Sequence, residues 1–84
     1  MLSIIQPSKT AELIGELRQT LNLTQEQLAD RLSVTFATVN RWENGHTTPS
    51  RLAMKQIHTL AKSMGDRGQE ILLQYIETEN KDRR

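Results

Sequence analysis

Apolar residues recur along most of the chain at intervals of three and four, the period of helices with one buried face. Leu13, Leu17 and Leu21 stand four apart with Ile14 beside them. This predicts a first helix from Ser8, as N-cap, to Leu21, stopped by Asn22 in a left-handed conformation. Pro7 disfavours helix in the residue before it, so residues 1–7 read as an extension. Its Ile4 and Ile5 either cover the core or add a small strand at an interface. Two further helix starts repeat one pattern. Thr24 is followed three residues on by Gln27, a capping box, and Leu23 can staple to Leu28. Thr35 caps the next helix, with Val34 and Val39 in the same stapling relation. The predicted helices Gln25–Leu32 and Phe36–Asn44 meet in a tight corner through Ser33 and Val34, and Gly45 ends the second.

A fourth helix is expected from Thr48 as cap, with Pro49 at its first position, where the missing N–H costs nothing. Its stripe is Ala53, Ile57, Leu60, Ala61 and Met64, and Gly65 stops it. Asp66 with Gln69 marks a fifth start, for a helix to about Glu79 with Ile71, Leu72, Tyr75 and Ile76 on one side. Residues 80–84 read as a charged, frayed tail. The pattern predicts an all-α fold, a compact bundle of four to five short helices in a single domain (1–84). Its core, with the helix-turn-helix, spans 8–64. The C-terminal helix, 66–79, either completes the monomer core or serves as a dimerisation element.

Composition narrows the chemistry. A chain of 84 residues allows one small core, with little room for an enclosed catalytic cavity. It has no cysteine, so disulfides and thiolate metal sites are excluded, and a reducing cytoplasm is expected. Its apolar runs stay far short of the roughly 20 residues that span a bilayer. Leu2, Ile4 and Ile5 do not build a secretory signal. His46 and His58 lie twelve apart without an acidic partner at ligand spacing, so no metal site is expected. No nucleophile arrangement is recognisable, and the four glycines read as helix stops rather than a phosphate loop. No enzyme activity and no cofactor are therefore expected.

Net charge is only +1, but it is unevenly placed. Residues 1–30 sum to −2, residues 31–62 to +4 and residues 63–84 to −1. The middle third could therefore hold a polyanion through phosphate contacts.

The helix after Thr35 carries the decisive pattern. At about 100° per residue, Val39 and Trp42 fall within about 40° of Thr35 and point inward. Phe36, Ala37, Asn40, Arg41 and Asn44 fill the arc from about 100° to about 240° and point outward together. Amphipathicity alone would fill that arc with Glu, Lys and Gln. An exposed Phe, a small Ala, an Asn and an Arg instead match the inventory of base edges. Arg can grip guanine with two bonds, Asn can do so with adenine, and Phe or Ala can pack on a thymine methyl.

The stretch from Leu23 to Val34 (LTQEQLADRLSV), followed by Thr38 to Gly45 (TVNRWENG) and Pro49-Ser50, strongly resembles the Cro/C1-type (XRE-like) helix-turn-helix family. The similarity covers about residues 10–64. It implies a lambda-repressor-like bundle that binds double-stranded operator DNA, usually as a dimer. Carried over by position, Phe36, Ala37, Asn40 and Arg41 resemble residues that face bases. Gln25, Thr35, Asn44, His46 and Arg51 resemble contacts to the DNA backbone. Arg18 and Glu43 sit where family members have a structural ion pair, and Ala29 where a small residue lets two helices cross. Ser33 departs from the pattern, because the family usually has Gly at this positive-φ turn position.

The resulting expectation is a sequence-specific transcriptional repressor, homodimeric, that reads the major groove with helix 36–44. Two-fold partners would read half-sites about 34 Å apart. Three alternatives use the same face or module. They are an antitoxin with a toxin partner, a restriction-modification controller, and a protein-interaction module.

Overall fold

Three successive helices each end by reversing through one left-handed residue, and this repeated device gives the bundle its tight corners. The computed structural model describes the backbone of residues 7–83 and the side chains of residues 9–75. Five α-helices follow one another: α1 (Pro7–Thr20), α2 (Gln25–Leu32), α3 (Phe36–Glu43), α4 (Arg51–Ser63) and α5 (Asp66–Arg83). No strand occurs among the described residues. Asn22 (φ 60°), Ser33 (φ 59°) and Gly45 (φ 77°) stand just past the ends of α1, α2 and α3. At each, the next residue's N–H reaches back five residues: Leu23 to Arg18 O, Val34 to Ala29 O, and His46 to Arg41 O. These bonds satisfy carbonyls that a helix end otherwise leaves unpaired.

The starts are fixed as firmly. Thr24 Oγ1 accepts from the Gln27 N–H at 3.1 Å, while Gln27 Oε1 accepts from the Thr24 N–H at 2.8 Å. The expected capping box is complete. Thr35 Oγ1 accepts from the Thr38 N–H and opens α3. Leu23 and Val34 are partly buried and pack against the core, to which Leu28 and Val39 belong.

The core draws on all five helices. Leu13, Ile14 and Leu17 from α1 meet Leu28, Ala29 and Leu32 from α2, then Val39 and Trp42 from α3. Ile57 and Ala61 of α4 and Ile71 and Leu72 of α5 close it. Each large aliphatic side chain buried this fully contributes about 1.5–3 kcal/mol before entropy is charged against it. The α5 stripe, as far as Tyr75, therefore packs on its own chain rather than standing open for a partner. Ile76 and the segment with Ile4 and Ile5 lie outside the described side chains. Among the described residues, no helix is long and apolar enough to cross a membrane.

Several boundaries differ from expectation. The first helix already includes Pro7 and Ser8, so Ser8 is not its cap, and it ends one residue early, at Thr20. The fourth starts later, because Ser50 rather than Thr48 supplies the cap. Ser50 Oγ accepts from the Ala53 N–H at 3.1 Å, which leaves Pro49 ahead of the helix. The Gln69 N–H bonds to Gly65 O, so Asp66 is the first helical residue and its carboxylate faces the positive end of the dipole. α5 then continues to Arg83, through the segment read as a frayed tail. Only two glycines stop helices, Gly45 and Gly65, both at positive φ. Gly15 lies inside α1 and Gly68 inside α5. At Gly68 a Cβ would fall 1.8 Å from the Ala61 carbonyl oxygen, so α4 and α5 touch backbone to backbone there.

Candidate nucleic-acid interface

The outward face of α3 arises because its inward face is so thoroughly used. Val39 is fully buried and Trp42 is 4% exposed, which fixes the rotation of the helix about its axis. Phe36 is then 49% exposed, an unusual position for the only phenylalanine in the chain. Ala37, Arg41 and Asn44 are exposed on the same side. Asn40 is half-buried, because it reaches sideways to α2.

Behind this face stands the ion pair of Arg18 and Glu43, 19% and 11% exposed. Arg18 Nε donates to Glu43 Oε2 at 2.7 Å, and Nη2 donates to Oε1 at 3.0 Å. Arg18 Nη1 also donates to the Leu23 carbonyl at 3.0 Å, tying the corner after α1 to the C-terminal end of α3. The Glu43 hydrogen bond, opposed by burial and aided by the carboxylate's charge, raises the Arg18 pKa above its ordinary value. The pair thus joins the end of α1 and the corner after it to the last turn of α3.

The residues carried over as backbone contacts divide into three groups. His46 and Arg51 are exposed, in the loop after α3 and at the first turn of α4. Thr35 is exposed, but its hydroxyl already caps α3 and meets the Thr38 hydroxyl at 2.9 Å. Gln25 and Asn44 belong to a polar chain that sequence reasoning missed. Gln25 Nε2 donates to Glu43 Oε1 at 3.0 Å, and Asn40 Nδ2 donates to Gln25 Oε1 at 3.1 Å. Asn44 Nδ2 donates in turn to Asn40 Oδ1 at 3.1 Å. The last bond joins residues four apart on one helix, a spacing visible in the sequence. The bond between Gln25 and Asn40 spans fifteen residues and two helices, and no periodicity announces it.

The positive charge of the middle third does not all gather at α3. Arg31 and Lys55 line a groove between α2 and α4 that also holds Leu52, 68% exposed. His58 is half-buried on α4.

The helix-turn-helix family model matches residues 14–62, from the middle of α1 almost to the end of α4. A 73-residue stretch covering 83% of the chain is 37% identical to the HTH-type transcriptional activator BcrR of Enterococcus faecalis. An uncharacterised HTH-type transcriptional regulator of Methanothermobacter thermautotrophicus is 42% identical over 53 residues, 63% of this chain. The type II methyltransferase M1.ScrFI of Lactococcus lactis subsp. cremoris is 44% identical over 48 residues, 54% of this chain. The matched stretches span 12% of the methyltransferase, 35% of the activator and 72% of the archaeal regulator. No solved structure matches the chain.

Proposed function

Because the chain belongs to the Cro/C1-type helix-turn-helix family of DNA-binding transcription regulators, we propose that it is a sequence-specific repressor reading the major groove with α3. In this reading it acts as a homodimer in the cytoplasm, without a cofactor or chemistry of its own. The observation that carries the reading is the division of α3. Val39 and Trp42 are sunk in the core while Phe36, Ala37 and Arg41 stand exposed together. Arg41 is the guanine-reading side chain, and Phe36 and Ala37 offer apolar surface to a thymine methyl. Gln25, His46 and Arg51 hold phosphates, which set register without choosing sequence.

Selection of bound duplexes from a random pool tests this. The expected winners share a two-fold symmetric motif with half-sites about one helical turn apart. A reporter placed behind the winning duplex should fall in expression when the chain is supplied. A rise would replace repression by activation, the role in the name of the Enterococcus relative.

The match to the Lactococcus methyltransferase favours a second reading, control of a restriction-modification operon. It would be supported if the enriched motif lay upstream of the genes for such a system.

A further inference from the structure

The polar chain behind α3 has a direction, and that direction gives Asn40 a role other than base reading. A carboxylate only accepts hydrogen bonds, whereas a carboxamide presents an acceptor on one side and donors on the other. Glu43 is clamped by Arg18 through both oxygens, so its orientation is fixed. Gln25, bonded to Glu43 Oε1, must turn its amino group toward the carboxylate and its carbonyl toward Asn40. Asn40 must then turn its amino group to Gln25 and its carbonyl to Asn44, which answers with its own amino group. One half-buried carboxylate thus sets the polarity of three amides in succession across α2 and α3.

We propose that Asn40 is a positioning residue that braces Gln25 and Asn44 as donors to DNA phosphates, rather than a residue that reads a base. The inference rests on the DNA-binding reading above and narrows it. Phosphate oxygens accept hydrogen bonds and donate none, so an anchoring amide helps only with an N–H aimed outward. In this chain Gln25 and Asn44 each use one amino hydrogen internally and keep a second. Asn40 is half-buried, and both its carbonyl and its amino group are already engaged. The donor and lone pair that Asn40 has left could meet adenine only from the half-buried orientation that its bonds to Gln25 and Asn44 impose. Turning outward to grip a base would break those bonds. Arg41, one residue on, is exposed instead.

The test compares duplex selection and affinity for the full chain and four variants, Asn40→Ala, Asn40→Asp, Gln25→Ala and the Asn40→Ala, Gln25→Ala double variant, each confirmed by circular dichroism to be folded at the assay temperature. With two hydrogen bonds removed, Asn40→Ala should bind the selected duplex about tenfold more weakly and keep every base preference. Asn40→Asp should weaken binding in the same uniform way, since it cannot donate to Gln25. The loss in the Asn40→Ala, Gln25→Ala double variant should be clearly smaller than the product of the single losses. Scanning a single neutral methylphosphonate along the site should find one position that weakens the wild type but not Gln25→Ala or Asn40→Ala. Four results would overturn the proposal: relaxed preference at a single base pair in Asn40→Ala, a switch toward cytosine in Asn40→Asp, additive losses, or unchanged affinity. A wild type that enriches no duplex would defeat the DNA-binding reading itself, which is a different outcome.

Discussion

Ser33 adopts φ 59° and ψ 42° although it has a side chain, while Gly45 takes the same reversal without strain. Left-handed backbone costs a non-glycine residue about 1–2 kcal/mol. Glycine would remove that strain but loses about 0.5–1 kcal/mol through its freer unfolded state. Ser33→Gly should therefore stabilise the protein by about 0.5–1 kcal/mol, read by urea unfolding; destabilisation would contradict the strain argument. Tyr75 makes a second residue-scale test, since it is the only tyrosine in the chain. Its hydroxyl donates to Glu16 Oε1 at 2.7 Å, and burial, that bond and the nearby carboxylates push its pKa from 10.0 up to about 12. The neutral phenol is favoured by folding, so its stabilisation is whole below pH 10 and drains away as pH rises toward about 12. Tyrosinate absorbance should thus appear late in the folded protein, and Tyr75→Phe should flatten the alkaline loss of stability in that window. Titration near pH 10 in the folded state would contradict it.

At the scale of elements, what the sequence disclosed was what neighbours along the chain decide. Thr24 with Gln27, Thr35 and Gly45 are local signals, and they placed α2 and the start of α3 correctly. The three-four period of Val39 and Trp42 gave the rotation of α3, and with it the exposed Phe36, Ala37 and Arg41. Where two capping residues compete within three positions, as Thr48 and Ser50 do, local chemistry does not choose between them. Contacts between distant helices were not legible at all. Gly68 reads as a helix breaker until α4 is brought against it, and Gln25 and Asn40 read as separate surface amides until α2 crosses α3. The role of Gly68 yields a direct prediction. Alanine is the better helix former by about 1 kcal/mol, yet its methyl would sit on the Ala61 carbonyl. Gly68→Ala should cost about 3 kcal/mol because two backbones must separate, measured by chemical unfolding. A stabilised variant would show that α4 and α5 do not approach so closely.

For the molecule as a whole, α1, α4 and α5 form a brace that sets the corner of α2 and α3 at one surface, with the Arg18–Glu43 pair locking the two together. Energetic importance and sequence reading then fall on different residues. Arg18→Ala leaves Glu43 and the Leu23 carbonyl without their partner and should cost about 2–3 kcal/mol of stability. Arg41→Ala touches only the exposed face and should leave the melting temperature unchanged, while relaxing discrimination at one base pair by about 1–3 kcal/mol in duplex selection. The most direct measurement is a titration of the isotope-labelled protein with its selected duplex, followed by backbone amide resonances. Shifts should concentrate at residues 36, 37 and 41, with Gln25 and His46 at the margins, and leave the α4–α5 contact still. Shifts centred instead on Arg31, Leu52 and Lys55 would mean that DNA lies in the α2–α4 groove and that α3 does not read it.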